Sequence, residues 1–295
     1  MSGNLIRLRR RIRSIRNTQK ITRAMKTVSA AKLRKSMMEI NKARPYLDRV
    51  EKLLQRLIDK VDPQRFPLLD AREEGDRVLV VLSADKGLCG AFNSHIMRRM
   101  TEFVAESGRE DQAVRLVTLG NRGHSHCKRR DIAVERNFPG IMSHTSHDDA
   151  RQVTEFLSKL FLEEKVRDIS FLYTEFASAS RQEVTLKGLF PIRCRWSEGE
   201  DVSKEENERE TIYEPSAQEV FASILPRFLE SRIFQLIMES QASEHAARMI
   251  AMDLASRNAS DMIQSLTLTL NKVRQASITN ELLEIITATE ALQSQ

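Results

Sequence analysis

The sequence predicts an α/β fold inserted into a long antiparallel coiled coil, and three features predict it. Residues 1–35 carry Arg7, Arg9, Arg10, Arg11, Arg13, Arg16, Lys20, Arg23, Lys26, Lys32, Arg34 and Lys35 and no acid, yet keep Leu5, Leu8, Ile12 and Ile15 at coiled-coil spacing. Residues 216–292 hold no glycine and one proline, Pro226, in a helical composition. Between these ends, short apolar runs alternate with helical patterns, as expected of strands and helices in turn.

The N-terminal helix follows from a heptad. Counting from Leu5, seam positions fall on Leu5, Leu8, Ile12, Ile15, Gln19, Thr22, Lys26, Ser29, Leu33, Ser36, Ile40, Ala43, Leu47, Val50, Leu54, Leu57 and Val61. In the polar middle, Ile21, Met25 and Val28 move to a neighbouring face, the drift of a nearly straight helix against a seven-residue repeat. A helix from 4 to 60 is roughly 85 Å long; Pro45 bends it, and Asp62-Pro63 and Pro67 end it. At the other end Phe221, Leu225, Phe228, Leu229, Ile233, Leu236 and Ile237 form one face. The seam then turns small through Ser240, Ser243, Ala246 and Ala247 before Ile250, Leu254, Met262, Leu266, Leu270 and Val273. Two such helices, the second a rod of roughly 110 Å, pair most simply with each other.

In the middle, 77–83 reads as a buried parallel strand because its apolar run is unbroken. A helix (91–104), a strand (114–119), a helix (121–130), a strand (132–138), a helix (147–166) and two strands (168–176 and 182–191) follow. This is a three-layer Rossmann-like α/β domain. The acidic stretch 197–210 reads as a solvated loop. The predicted organisation is 1–62 as N-terminal coiled-coil helix, 63–212 as α/β domain and 213–295 as C-terminal coiled-coil helix.

The chain of 295 residues has 47 basic and 41 acidic residues, a formal charge of +6. Every acid lies beyond Lys35, so the positive excess belongs to one helix and the remainder is acidic overall. Charge spread over a domain would indicate nucleic acid; charge on one helix leaves an acidic protein partner equally open. A basic coiled-coil nucleic-acid-binding protein is the alternative. In helix-zipper DNA readers, however, the basic region precedes the seam, whereas here cations and seam interleave. Cys89, Cys127 and Cys194 form no close pair and suit a reducing compartment. No apolar run approaches the ~20 residues that span a bilayer. The acid-free start could be a transit peptide, but its seam continues to Val61, so it reads as mature structure.

Candidate sites in the middle domain are weak. Asp85-Lys86-Gly87-Leu88-Cys89-Gly90 follows the first strand, where α/β folds bind phosphate, but it matches neither glycine-rich phosphate motif. It reads as a tight structural turn, as does Gly120–Gly123. His124, His126 and Cys127, and His144, His147, Asp148 and Asp149, lack the three or four converging ligands of a metal site. No catalytic constellation, cofactor motif or metal set stands out.

Four segments carry a family resemblance: NTQKITRAMK (17–26) with VSAAKLR (28–34), SADKGLCGAFN (83–93), SEHAARMIAM (243–252) with Asn258 and Ala259, and RQASITNELLE (274–284). In this order they resemble the gamma subunit of F-type ATP synthases, from about residue 4 to 292; Ala288-Thr289 departs from the family's usual Gly-Ala. The resemblance implies a rotor shaft that is not itself an enzyme and binds no cofactor or metal. Its partners would be the alpha and beta subunits of F1, the epsilon subunit, the c-subunit ring and delta in the same complex. It implies peripheral attachment at the cytoplasmic side of a bacterial inner membrane, with no direct membrane insertion and no nucleic acid. By motif, Arg23, Met25 and Lys26 would meet acidic lever loops of beta subunits; Arg274, Gln275 and Thr279, with Glu281 nearby, would meet another beta loop; Tyr213 and Glu214 would lie at the foot against the c ring.

Overall fold

A central sheet with strand order β3-β2-β1-β4-β5 organises the middle of the chain. Its strands are β1 (Asp76–Leu82), β2 (Val114–Leu119), β3 (Arg136–Phe138), β4 (Val166–Phe176) and β5 (Gln182–Phe190). The first four run parallel, and β5 returns antiparallel beside β4. Helices α1 (Ser2–Ile58), α2 (Phe92–Arg109), α3 (Asn121–Lys128), α4 (His147–Glu163) and α5 (Ala217–Gln293) complete the chain. The computed structural model describes residues 2–109, 112–163, 166–178, 181–192 and 213–293. Cys194, the predicted loop 197–210 and the side chain of Ala288 lie outside the described residues.

The structure divides into two units, Met1–Ser29 with Arg248–Gln295 and Ala30–Ala247. In the second unit β1 is central, and Val78 to Leu82 are fully buried, which is why that run is unbroken by polar residues. Its side chains alternate between two cores. Leu79 and Val81 join Ile96, Met100 and Phe103 of α2 and Cys127 of α3. Val78, Val80 and Leu82 join Val153, Leu157 and Phe161 of α4, Leu47, Leu54 and Leu57 of α1, and Phe221, Phe228, Ile233 and Ile237 of α5. The sheet is therefore the middle of three layers, with α2 and α3 on one face and α4 with the long helices on the other.

Within this unit α1 and α5 run antiparallel. The Phe66 ring, just past α1, meets Phe221 edge-on at 4.7 Å, and Arg65 donates to Gln218 Oε1 at 2.9 Å. Further along, Glu39, Ala43 and Tyr46 share a cavity with Arg227, Glu230 and Phe234. Pro45 lies within α1 on an exposed turn, between the buried Ile40 and Leu47. After α1, Asp62 caps a short 3-10 turn, its carboxylate accepting from the Gln64 N–H at 3.1 Å with Pro63 in the first position.

One strand is shorter than its pattern suggests. The run 132–138 contributes only Arg136–Phe138, because the segment before it closes α3: Arg130 and Ile132 N–H both donate to the Cys127 carbonyl, and Asp131 takes a left-handed φ of 53°.

A half-buried ionic network joins the sheet to α5. Lys187 on β5 and Arg232 on α5 face Glu51 of α1, Glu175 of β4 and Glu239 of α5. Arg232 donates to Gln235 at 2.8 Å, and Gln235 donates to Glu239 at 2.9 Å. Burial raises the Glu51 and Glu239 carboxyl pKa values, and the cations oppose that rise; burial lowers Lys187. Tyr173 is pushed far up, first by burial and then by Glu239.

Two outcomes follow. Phe228→Ala should cost about 3–5 kcal/mol in denaturant unfolding of the full chain; a loss below about 1 kcal/mol would overturn the central role of that ring. Lys187→Met removes an opposing charge, so Glu51 and Glu239 titrate still higher in the folded chain than in the unfolded one. Stability then falls as pH rises from the ordinary carboxylate range through those raised values. The loss should be on the order of 2 kcal/mol at pH 8, less than the roughly 3–5 kcal/mol of a fully buried pair, and smaller at pH 5. Equal losses at both pH values would show that the network is uncoupled.

Candidate partner-binding surface

The unit made of residues 1–29 and 248–295 has a thin seam and a charged exterior. On α1 the buried positions are Ile12, Thr22 and Ser29; on α5 they are Met252, Ser256, Ala259 and Ser277. Gln19 donates to the Ser256 carbonyl at 3.4 Å, and the Lys26 ammonium sits 2.6 Å from Asp253. The two contacts advance in opposite directions along the chain, so the helices are antiparallel here. Small residues in the seam allow the backbones to approach.

The α5 seam corrects one expectation. Ile250, Leu254 and Met262, read from the sequence as seam positions, are exposed at 37%, 55% and 45%. The observed register is Met252, Ser256, Ala259, Ile263, Leu266, Leu270 and Val273, with the last six alternating in steps of three and four. Its small members Ser256 and Ala259 permit a closer approach than branched side chains would. On α1 the expected seam holds at Ile12, Thr22 and Ser29, but Lys26 is exposed.

Outside the seam, every cation from Arg7 to Lys26 is exposed. Ile21 and Val28 are exposed at 59% and 56% in the midst of that charge, with Met25 half-buried between them. The spacing i, i+4, i+7 puts all three on one face. Arg23 is exposed on the same turns. Lys26 is partly neutralised, because Asp253 also accepts from Arg257 at 2.8 Å. The Lys26 hydrogen bond, ahead of Arg257, holds the Asp253 carboxyl below its ordinary range.

The second group lies well away along α5. Arg274, Gln275, Thr279 and Glu281 are all exposed. Thr279 donates back to the Gln275 carbonyl at 3.0 Å, and Glu281 accepts from Ser277 at 3.2 Å. Asp253 and Arg274 are separated by about 32 Å of helix, so the two groups form separate collars. Tyr213 and Glu214 belong to the other unit. Tyr213 is half-buried with the Lys60 ammonium 5.1 Å from its ring centre, and Glu214 is exposed.

Sequence reasoning missed an apolar end. Ile278, Leu282, Leu283, Ile285 and Ile286 are all exposed by 46% or more. At 3.6 residues per turn the aliphatics at 278, 282–283 and 285–286 share one broad face turned away from the Leu266, Leu270 and Val273 seam; an apolar face off the seam was the available signal.

Asp85 acts as a staple: its carboxylate accepts from the Asn121 and Gly140 N–H groups at 3.1 and 3.2 Å and from Ser143 Oγ at 2.9 Å. It thereby ties together the loops after β1, β2 and β3. Gly120 has φ 99°, and a Cβ there would fall 1.9 Å from the Ser83 carbonyl, so the turn requires glycine. Among the described residues no group of three His, Cys, Asp or Glu side chains converges as a metal site.

A family model described as ATP synthase matches residues 4–292. The chain is 38% identical over 286 residues to the ATP synthase gamma chain of Moorella thermoacetica, covering 97% of this chain and 98% of that one. It is also 38% identical over 291 residues to the ATP synthase gamma chain of Geotalea daltonii, covering 99% of each. Among solved structures, a chain of the Euglena gracilis mitochondrial ATP synthase OSCP/F1/c-ring assembly superposes with TM-score 0.69 at 18% identity, covering 100% of this chain and 96% of that one. A chain of the Tetrahymena thermophila mitochondrial ATP synthase central stalk and c ring does so at 0.59 and 22% identity, covering 80% and 99%. At these identities the structural likeness is one of fold.

Proposed function

Because the chain belongs to the ATP synthase gamma chain family, we propose that it is the central rotor shaft of an F-type ATP synthase. In this role it couples ion-driven rotation of a membrane c ring to ATP synthesis or hydrolysis in an alpha3-beta3 hexamer. The observation that carries the reading is the Ile21–Met25–Val28 stripe, exposed at Ile21 and Val28 on a stretch of α1 that holds many cations and no acid of its own. A satisfied seam has no use for these side chains; an acidic, partly apolar partner surface does. The apolar end from Ile278 to Ile286 asks for a second cover of the same general kind.

The mechanism rests on asymmetry. Three identical catalytic subunits around one uneven shaft cannot make the same contacts, so each has a different affinity for nucleotide, and rotation exchanges the contacts. A contact shifts a conformational equilibrium only by its differential energy, and about 5.5 kcal/mol takes a two-state equilibrium from 1:99 to 99:1. Arg23, Met25 and Lys26 form one collar against beta lever loops, and Arg274, Gln275, Thr279 and Glu281 another. The shaft is a non-catalytic subunit, with the nucleotide chemistry in the hexamer. Residues 1–62 and 213–295 serve as shaft and 63–212 as foot, where Tyr213 and Glu214 meet the c ring and the epsilon subunit docks; delta belongs to the same complex. Among the described residues no helix is long and apolar enough to cross a membrane, which suits peripheral attachment at the cytoplasmic face of a bacterial inner membrane. No observation favours the nucleic-acid alternative, since cations and seam share the same turns.

Met25→Lys adds a cation to the first collar. A surface ion pair contributes about 0.2–1 kcal/mol, a bias of up to about fivefold on one rotational dwell, so fewer protons should be pumped per ATP hydrolysed; an unchanged ratio refutes the collar. A cysteine replacing Tyr213 should crosslink to a cysteine in a polar c-ring loop of the intact complex, and failure there would count against the foot placement.

A further inference from the structure

Helices α2 and α3 leave between them a cavity of about 780 Å³ beside the turn that follows β1. Its wall carries Arg98, Arg122, Arg129 and Arg130 against a single acid, Glu102. Glu102 reaches Arg98 only at 3.9 Å and also serves Arg99 at 3.5 Å. Among the described residues no carboxylate lies within ion-pair distance of Arg122, Arg129 or Arg130. The nearby Asp85 carboxylate is occupied by two backbone N–H groups and a serine hydroxyl.

Two further details belong to the same wall. The Arg122 guanidinium lies against Gly87 of the turn, where a Cβ would fall 2.8 Å from it, so glycine leaves room for that fork. The His126 ring also lines the cavity, and its Nε2 is shut off from water without a hydrogen-bond partner. Burial, then Arg130 and Arg129, lower the His126 pKa, so the ring sits out of water beside two positive charges. Exposed Leu88 with Met97 and Ala105 supplies the apolar part of the lining.

We propose that the α2–α3 groove binds a phosphate-bearing anion, with the di- or triphosphate chain of a nucleotide as the chemistry it fits. Guanidinium forks match phosphate oxygens two at a time. The cavity volume lies in the range of small-molecule sites, and a few polar groups against an apolar wall is their usual composition. The turn itself stays structural, stapled by Asp85; the ligand lies on its outer side, against Gly87 to Gly90. This inference does not depend on the rotor reading, since the groove is built from this chain alone.

The test is calorimetric titration of the full-length chain, without divalent cations, with tripolyphosphate, ATP, ADP and an oligoglutamate peptide as probes. Saturable binding of one tripolyphosphate or ATP is expected, weakened at least tenfold by the double variant Arg122→Gln with Arg130→Gln. Arg44→Gln with Arg49→Gln removes equal charge elsewhere and should leave the affinity unchanged. The melting temperature of each variant checks that it is folded, and Arg129→Gln replaces any member of the pair that is not. ATP binding tighter than tripolyphosphate assigns the nucleotide as the source, and equal affinity assigns the phosphate chain alone. The proposal is overturned by absence of saturable binding, by equal weakening in the control variant, or by oligoglutamate binding more tightly than tripolyphosphate.

Discussion

From Leu236 to Ala246 the C-terminal helix has almost no face left to water: every residue is buried except Glu239, which is half-buried. A helix buried all round is usually apolar, yet this stretch contains Ser240, Gln241, Ser243, Glu244 and His245. One of these polar side chains, Gln241, serves as a fastener. The Gln241 amide donates to the Ile141 carbonyl at 3.1 Å and to the Thr145 hydroxyl, which itself donates to Ile141. Buried hydrogen bonds of this kind are costly to break singly, so the sheet domain cannot slide along the helix without leaving orphaned groups. Apolar packing holds the domain against α5, and the polar contacts set where along α5 it is held.

The other unit is built on an opposite principle. Among its described residues only Ile12, Met252 and Ala259 are buried apolar side chains, beside Thr22, Ser29, Ser256 and Ser277, while its cations and several large aliphatics remain exposed. Such a pair gains little stability by itself and presents much surface to partners. A slender, cationic, locally sticky element suits a part that must make different contacts with several copies of one partner. The fixed domain and the contact-making element thus divide the labour of transmitting a rotation.

Much of this was legible in the sequence. The apolar run 77–83 marked a central strand because burial on both faces leaves no polar alternation, and β2 spans Val114–Leu119 as its pattern indicates. Small residues at Ser240, Ser243 and Ala246 marked the buried middle of α5. Of the candidate surface, Ile21, Met25 and Val28 stood out because they left the heptad. What escaped notice depends on neighbours distant in sequence: the α3–β3 connection that shortens an edge strand, the internal anion Asp253 that engages Lys26, and the arginine groove assembled from two helices.

The residue order by itself determined where helices and strands lie and that the positive charge sits at one end, because periodicity and composition act over a few turns of chain. Only the tertiary structure decided which stripe of α5 became the seam. Ile250 and Leu254 are the more apolar choice, yet Met252, Ser256 and Ala259 are buried. Close approach of two backbones is a property of both surfaces together, and no local pattern in one helix contains the shape of the other.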